Sequence, residues 1–311
     1  VGLGAANTLQ PGRGAVAQAG QHYEGPREKP KGLLEQLVPE SAVAAAAENS
    51  VLQLVFFSML FGVGLSSLGP RGQPLIDVLQ IVSDTMFKVT ELVMRFAPIG
   101  VGAAMAAAVG AQGPAVLALL GKLVGALYLS LLVFSTLLLL LAWRVTGYRP
   151  LQLLRALREP LFLAFSTTSS ESALPKAMEI MTALGVPRHI VGFVIPAGYS
   201  FNLDGTTLYL ALASLFIAQA AGVAMTLPQQ LVMMLTLLLT SKGVAAVPRA
   251  SLVVLAATCQ SFGLPIDWIA TILGVDALMD MARTTVNVLG NCVASAVVAR
   301  WEGALPSQAA S

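Results

Sequence analysis

An uncharged run of apolar residues constrains the fold of this chain more than any other feature. It extends from Leu123 to Trp143, which is 21 residues, and a helix needs about 20 apolar residues to cross the hydrocarbon core of a bilayer. Of the 311 residues, 56% are hydrophobic and 11% are charged, whereas a soluble domain carries about 25% charged residues. The sequence therefore predicts an all-α integral membrane protein with several spanning helices.

The charges that follow this run predict how it is oriented. Arg144, Arg149 and Arg155 come directly after it, and loops rich in positive charge lie on the cytoplasmic side of a membrane. Trp143 and Tyr148 stand at the same edge, where they fit an aromatic belt. The net charge of +2 is too small to indicate a nucleic-acid partner.

Short polar runs interrupt the apolar segments in the second half of the chain. They lie at 166–172, 202–207 and 241–249. Backbone that leaves the helix at membrane depth is tolerated where it lines protein or a water-filled cavity. In the first and third runs a serine-containing tip is followed by a proline, Pro175 or Pro248. Paired interruptions of this kind are typical of secondary transporters built from internal repeats.

The last long helix, predicted over about 268–300, carries a polar stripe in an apolar sequence. An ionisable side chain near the bilayer centre costs about 2.5–3.5 kcal/mol, so the stripe needs a polar partner surface or a ligand. An internal Asp–Arg pair that only helps the helices to pack is the open alternative. At the helical period the following residues share one face: Asp276, Asp280, Arg283, Thr284, Asn287 and Asn291.

The residue types on this stripe indicate recognition of an acidic amino acid. Arg283 offers a planar fork of donors that fits a carboxylate, and Asp280, one turn earlier, can accept from an ammonium group. The serine-rich tips expose backbone N–H groups that suit a second carboxylate. Asn202 and Asp204 stand beside Gly205, where local unwinding would free carbonyl oxygens for a cation. Asp204 can instead carry a proton.

An enzyme is the less favoured class. A hydrolase triad drawn from Ser169, Ser170, His189 and Asp204 is the strongest version of that alternative. The serines lack the nucleophile-elbow pattern, and the chain has neither a phosphate-loop motif nor Cys/His spacing for a metal. We therefore predict a protein that is not an enzyme and has no cofactor. A channel or a membrane-embedded enzyme remains the alternative from another class.

Four segments resemble the dicarboxylate/amino acid:cation symporters, the glutamate transporter family. They are STTSSESALP at 166–175, SFNLDGTTLYLALASLFIAQ at 200–219, SKGVAAVPRASLV at 241–253 and VDALMDMARTTVNVLGNCVASAVVARWEG at 275–303. The resemblance covers essentially the whole chain and is closest to bacterial proton/glutamate–aspartate symporters. It implies a homotrimer, surrounded by lipid in the bacterial inner membrane, whose transport domain moves like an elevator along a static scaffold. Because the chain opens at Val1 inside an apolar run, we expect a fragment that lacks earlier spanning helices.

The resemblance also implies a division of the chain. Residues 1–112 would be the remaining part of the scaffold with a polar loop, and residues 113–311 would form the transport domain. The transport domain would contain a spanning helix, a re-entrant helical hairpin at about 155–181, a helix at about 188–222, a second re-entrant hairpin at about 228–262 and a helix at about 267–300.

Site roles follow from the same resemblance. The substrate is an acidic small molecule, for which Asp280 would bind the amino group and Arg283 the side-chain carboxylate. The full set of implied substrate-binding residues is Thr168, Ser169, Ser170, Thr206, Val247, Asp280, Arg283, Thr284 and Asn287. The implied cation-binding residues, where sodium is the one metal ion considered, are Gly198, Ser200, Asn202, Asp204, Asn287 and Asn291.

Departures from the family pattern predict the coupling ion. Sodium-coupled members have Asp where this chain has Asn291 and Met where it has Leu203, and the loss of a hard carboxylate ligand weakens a sodium site. We therefore expect import of glutamate or aspartate with protons, and keep sodium as the alternative. The proton-carrying Glu of animal members matches Leu210, so the proton carrier is not identified. The candidates are Asp204, Asp276 and Glu171.

The substrate class has one alternative within the family. C4-dicarboxylate symporters, which carry succinate, fumarate or malate, share the arginine and the first serine-rich tip. Their second hairpin usually reads differently from the KGVAAVPRAS stretch found here. This difference favours glutamate and aspartate as the substrates.

Overall fold

The computed structural model describes residues 1–13, 38, 41–47, 51–240 and 250–305. Within these ranges the chain forms α-helices and one short 3-10 helix, Gly69–Gly72, and no strand. The prediction of an all-helical protein is therefore confirmed for the described residues. In chain order the helices are α1 (Gly2–Leu9), α2 (Ala42–Ala47), α3 (Val51–Ser67), α4 (Gln73–Met94), α5 (Ala97–Gln112), α6 (Ala115–Thr146), α7 (Pro150–Ala156), α8 (Arg158–Thr167), α9 (Ser170–Ala183), α10 (Arg188–Phe201), α11 (Asp204–Ala220), α12 (Leu227–Thr240), α13 (Ala250–Ser261) and α14 (Asp267–Trp301).

The long helix α14 lies at the centre of the packing. It contacts α5, α6, α8, α9, α10, α11 and α13. The sequence prediction of 268–300 differs from the observed bounds by one residue at each end. Most side chains between Asp276 and Ala299 are buried, so the polar stripe of this helix faces protein rather than lipid.

Two apolar clusters divide the molecule along α14. The first contains the N-terminal part of α6 together with α11, α12, α13 and residues up to Val286 of α14. The second contains the end of α6, parts of α7 to α10 and residues of α14 from Val288 onward. Asn287 stands between these two valines, so the polar site lies where the clusters meet.

Two apolar stretches are each divided into two helices in the structure. In the first, over 76–109, α4 ends at Met94 and α5 begins at Ala97. Pro98 stands in the first turn of α5, and proline is tolerated there because it has no N–H to lose. The helix expected over 188–222 is split at Asn202 and Leu203 into α10 and α11, in the segment where unwinding was expected.

The aromatic belt prediction is wrong for Tyr148. Its side chain is buried, and its hydroxyl donates to the backbone oxygen of Leu184 over 2.7 Å. This burial raises the pKa of the Tyr148 phenol, because ionisation is unfavourable away from water. Trp143 is exposed, as a belt residue would be.

Two stretches of the described chain are long and apolar enough to cross a membrane. One is Ala115–Thr146, which is α6, with a mean hydropathy of 2.4. The other is Arg188–Ala220, which comprises α10, α11 and the break between them, with a mean hydropathy of 1.3. Shorter apolar helices occur at Phe56–Ser67, Leu227–Leu238 and Ser251–Ser261.

Helix α1 packs on the helices that carry the site. It contacts α6 and α11, and hydrogen bonds join it and the following turn to polar side chains of later helices. Gln219 donates to the oxygen of Ala6 over 2.8 Å, and the N–H of Gly12 donates to Gln219 over 3.1 Å. Asn7 donates to Gln230 of α12 over 2.8 Å.

Candidate substrate and cation site

The centre of the site is a buried guanidinium held by two carboxylates of its own helix. Nε of Arg283 donates to Oδ1 of Asp280 over 2.8 Å, and Nη1 donates to Oδ1 of Asp276 over 3.1 Å. The side chains of Arg283, Asp276 and Asp280 are 2%, 0% and 9% exposed. Thr284 adds a hydrogen bond to Oδ1 of Asp280 over 3.2 Å. The helical spacing of the stripe thus brings together the three charges that the sequence placed on one face.

An aromatic ring covers the same guanidinium. Cζ of Arg283 lies 4.2 Å from the centroid of the Tyr209 ring, on α11, and both side chains are buried. A cation over a ring face at this distance is stabilised by about 0.5–2 kcal/mol. The contact joins α11 to α14 beside the donor fork.

The N-terminus of α11 is capped from another helix. Leu203 stands at the N-cap and offers no side-chain oxygen. Oδ1 of Asn287 accepts from the N–H of Gly205 over 2.8 Å and from that of Thr206 over 3.4 Å, while Nδ2 donates to the Thr206 hydroxyl over 3.1 Å. Because buried N–H groups at a helix start need acceptors, Asn287 ties the break before α11 to α14.

A second amide lies one turn further along α14. Nδ2 of Asn202 donates to Oδ1 of Asn291 over 3.0 Å. Asn291 is buried and Asn202 is half-buried. The break between α10 and α11 therefore meets α14 through two asparagines of that helix, Asn287 and Asn291.

Close approach at this break requires glycine. A Cβ on Gly205 would overlap the backbone of Arg283, and one on Gly198 would overlap the Asn291 side chain. A Cβ on Gly290 would overlap the carboxylate of Asp204. The missing side chains let backbone and polar groups of α10, α11 and α14 come into direct contact.

The first serine-rich tip is the short connection between α8 and α9. Thr168 has a left-handed backbone with φ of 52°, which reverses the chain, and Ser169 is the N-cap of α9. The Ser169 hydroxyl accepts from the N–H of Ser172 over 3.4 Å. Tyr199 of α10 donates to the oxygen of Ser170, so the tip is fastened beside α10.

The described structure brings only some of the predicted site residues close together. Asp280, Arg283 and Thr284 form one hydrogen-bonded group on α14, and Thr206 and Asn287 form a second one between α11 and α14. Asn202, Asn291 and Gly198 lie together at the α10–α11 break. The described hydrogen bonds of Thr168 and Ser169 stay within their own tip. Val247, with the second tip, and the side chain of Ser200 lie outside the described residues.

The three candidate proton carriers occupy different environments. Asp276 is fully buried and paired with Arg283. Asp204 is half-buried, at the N-terminus of α11 and next to Gly290. Glu171 is exposed in the first turn of α9. Asp276 and Asp204 therefore belong to the polar group around α14, and Glu171 lies on the serine-rich tip.

Sequence reasoning missed Tyr209. It lies in α11, where nearly every residue is buried, so the apolar pattern does not indicate which face meets α14. Its one signal is its distance of five residues from Asp204 in a helix that starts at the polar break.

The chain is similar to known transport proteins over nearly its whole length. The model of the sodium:dicarboxylate symporter family matches residues 1–301. The proton/glutamate-aspartate symporter of Escherichia coli is 44% identical over 97% of this chain and 72% of its own length. The proton/sodium-glutamate symport protein of Bacillus subtilis is 41% identical over 97% of this chain and 73% of its own length. The C4-dicarboxylate transport protein of Polynucleobacter asymbioticus is 42% identical over 98% of this chain and 71% of its own length.

A buried guanidinium and two carboxylates beside a broken helix, in an apolar helical protein, are typical of membrane transporters. The family match and the identities define the class more closely. The chain belongs to the sodium:dicarboxylate symporter family.

Proposed function

We propose that this symporter imports acidic amino acids, glutamate and aspartate, together with protons. The observation that carries the proposal is the buried pairing of Arg283 with Asp280 on one face of α14. A planar donor fork binds a carboxylate, and a neighbouring carboxylate binds an ammonium group. An amino acid with a second carboxylate offers both partners.

The remaining contacts of the substrate are assigned to the surrounding polar residues. Thr206 and Asn287, which are hydrogen-bonded to each other, and Thr284 would contact the substrate beside Arg283. The tip at Thr168, Ser169 and Ser170 would bind the second carboxylate through its N–H groups. Val247, in the second tip, would close over the loaded site.

Protons are the proposed coupling ion because the predicted cation-binding residues would bind sodium weakly. Asn291 contributes a neutral amide, and its Oδ1 already accepts from Asn202. Hard cations prefer carboxylate and carbonyl oxygens. Gly198, Ser200, Asn202, Asp204, Asn287 and Asn291 form the proposed cation region. Sodium is the alternative, and the name of the Bacillus subtilis relative includes both ions.

A C4-dicarboxylate is the second candidate substrate. It is favoured by the relatives named C4-dicarboxylate transport protein, which are as similar to this chain as several glutamate symporters. Succinate, fumarate and malate would use Arg283 in the same way and would leave Asp280 without an ammonium partner.

The proposed architecture is that of an elevator transporter in the bacterial inner membrane. The pairs α8–α9 and α12–α13 would be re-entrant hairpins, and the segment from 113 onward would form a transport domain in a homotrimer surrounded by lipid. Helices α2 to α5 would belong to the scaffold, and α5 would form its contact with the transport domain because it packs on α6 and α14. We place α1 with the transport domain because it packs on α6 and α11.

Uptake into proteoliposomes tests the proposal. Radiolabelled aspartate should accumulate when a pH gradient is imposed, and unlabelled glutamate should compete. Uptake of radiolabelled succinate that unlabelled aspartate does not inhibit would favour the second candidate. A flux that does not depend on any imposed ion gradient would indicate a channel. Accumulation driven by a sodium gradient alone would contradict the assignment of protons as the coupling ion.

A further inference from the structure

We infer that the positive group that neutralises Asp280 arrives with the substrate. An amino acid supplies its ammonium group, whereas a C4-dicarboxylate binds together with a proton that protonates Asp280. This inference rests on the proposed function and names the residue that lets one site serve both substrate classes. Its consequence is that succinate binds with one more proton than aspartate does.

The charges of the site are unbalanced before any substrate is considered. Asp276 and Asp280 share the single guanidinium of Arg283, which leaves one excess negative charge among three buried side chains. A substrate carboxylate on Arg283 adds a second. Buried charge without a counter-charge costs several kcal/mol, so a further positive group has to arrive with the substrate.

Asp280 is the carboxylate placed to receive that group. Among the described residues, its hydrogen bonds from Arg283 and Thr284 both end on Oδ1, so Oδ2 is available to another donor. Its side chain is 9% exposed, whereas that of Asp276 is 0% exposed. An ammonium group or a proton can therefore reach Asp280 more easily than Asp276.

Among the residues that the structure describes, the other ionisable groups near α14 do not supply this positive charge. On α11, Tyr209 faces Arg283 and Asp204 is itself an acid beside Gly290. Helices α5 and α13 contain no Asp, Glu, Lys, Arg or His. On α6, Tyr128 donates to the oxygen of Leu278, and Lys122 is exposed. The charged side chains and the histidine of α8, α9 and α10 are exposed or half-exposed: Arg158, Glu159, Glu171, Lys176, Glu179, Arg188 and His189.

Aspartate and succinate differ at this position alone. Both have two carboxylates on a four-carbon chain, and aspartate adds one ammonium group. If the loaded site needs the same total charge with either ligand, succinate has to bring one additional proton. Since a proton taken up on binding is lost as the pH rises, the affinity for succinate should fall about tenfold more per pH unit than that for aspartate.

Calorimetry of the purified protein in nanodiscs measures this difference directly. Each ligand is titrated in two buffers of unlike ionisation enthalpy, and the dependence of the heat on the buffer gives the protons taken up. The expected result is one more proton for succinate than for aspartate. Equal uptake overturns the inference and leaves the proposed function standing.

Two Asp→Asn variants on the same helix identify the residue. Asp280→Asn places a neutral side chain where a protonated carboxyl would be, so we expect it to lose aspartate binding and to bind succinate without the additional proton. In the matched control Asp276→Asn, the difference of one proton between the ligands should remain. Unchanged proton uptake with succinate in Asp280→Asn assigns the proton elsewhere and overturns the inference.

The remaining outcomes separate the two proposals. Aspartate binding without succinate binding at any pH overturns the inference alone. Binding of neither ligand contradicts the proposed function, and the inference falls with it. If Asp280→Asn does not fold, the comparison of both ligands on the unaltered protein still decides whether succinate binds with one more proton than aspartate does.

Discussion

The side-chain amides of Asn202 and Asn291 are joined directly, with Nδ2 of Asn202 donating to Oδ1 of Asn291 over 3.0 Å. This bond connects the break between α10 and α11 to α14. The amide N–H of Asn202 therefore lies next to the side-chain oxygen of Asn291. A carboxylate at position 291 would attract a cation to the same place.

The first prediction is that Asn291→Asp introduces a sodium requirement. The substitution adds a negative charge beside Asn202 and close to Gly198, and carboxylate oxygen is a preferred ligand of hard cations. Sodium chloride should raise the thermal unfolding temperature of the variant and strengthen its aspartate binding. Choline chloride at equal ionic strength is the control, and equal effects of both salts would contradict the prediction.

The second prediction concerns the shape of the donor group at Arg283. Arg283→Lys keeps the positive charge between Asp276 and Asp280 but loses the planar fork. Because hydrogen bonds to charged groups contribute about 1.5–3 kcal/mol, acidic substrates should bind about 10 to 150 times more weakly. Binding titrations of glutamate and aspartate measure the loss.

Arg283→Cys provides the contrast to this variant. It removes the cation from two buried carboxylates, and breaking a buried pair costs about 3–5 kcal/mol. We expect a lower unfolding temperature, no uptake of acidic substrates and room for a neutral amino acid. Unchanged glutamate affinity in either variant would refute the role of Arg283.

The third prediction separates the ring of Tyr209 from its hydroxyl. Tyr209→Leu removes the ring that lies 4.2 Å from the guanidinium and should weaken substrate binding by about 0.5–2 kcal/mol of cation–π stabilisation. Tyr209→Phe keeps the ring and should lose less. The affinities of both variants for aspartate test this order, and equal losses in the two variants would show that the hydroxyl is the important group.

The fourth prediction is that the α10–α11 break tolerates no side chain at Gly205. Gly205→Ala places a methyl group against the backbone of Arg283, and overpacking of this kind costs about 1–3 kcal/mol. The matched control is Gly192→Ala on α10, where an added Cβ meets nothing within 4 Å. Thermal unfolding of both variants tests this, and equal stability of the two would show that the break is not closely packed.

The sequence predicted the arrangement of α14 well because its signal is local. Asp276, Asp280 and Arg283 share a face through the helical period alone, and their mutual hydrogen bonds require no other element. The break before α11 was likewise marked by Asn202 and Gly205, which favour unwinding. The structure has these features in the expected places.

Contacts between distant segments could not be predicted from one sequence. The orientation of Tyr209 toward Arg283 depends on how α11 rotates against α14, and nearly every residue of α11 is buried, so burial alone does not identify one face. Tyr148 turns inward because its hydroxyl meets the oxygen of Leu184, 36 residues further along the chain. The role of Asn287 as a cap for α11 also depends on packing between helices.

The order of the helices has a consequence for biogenesis. Helix α14 follows α8 to α13 in the chain, yet it is the helix on which α8, α9, α10 and α11 pack. During synthesis the N–H groups of Gly205 and Thr206 therefore leave the ribosome before Asn287, their acceptor, has been translated. Entry of the α10–α11 break into the bilayer has to await the last long helix, or water has to accompany it until then.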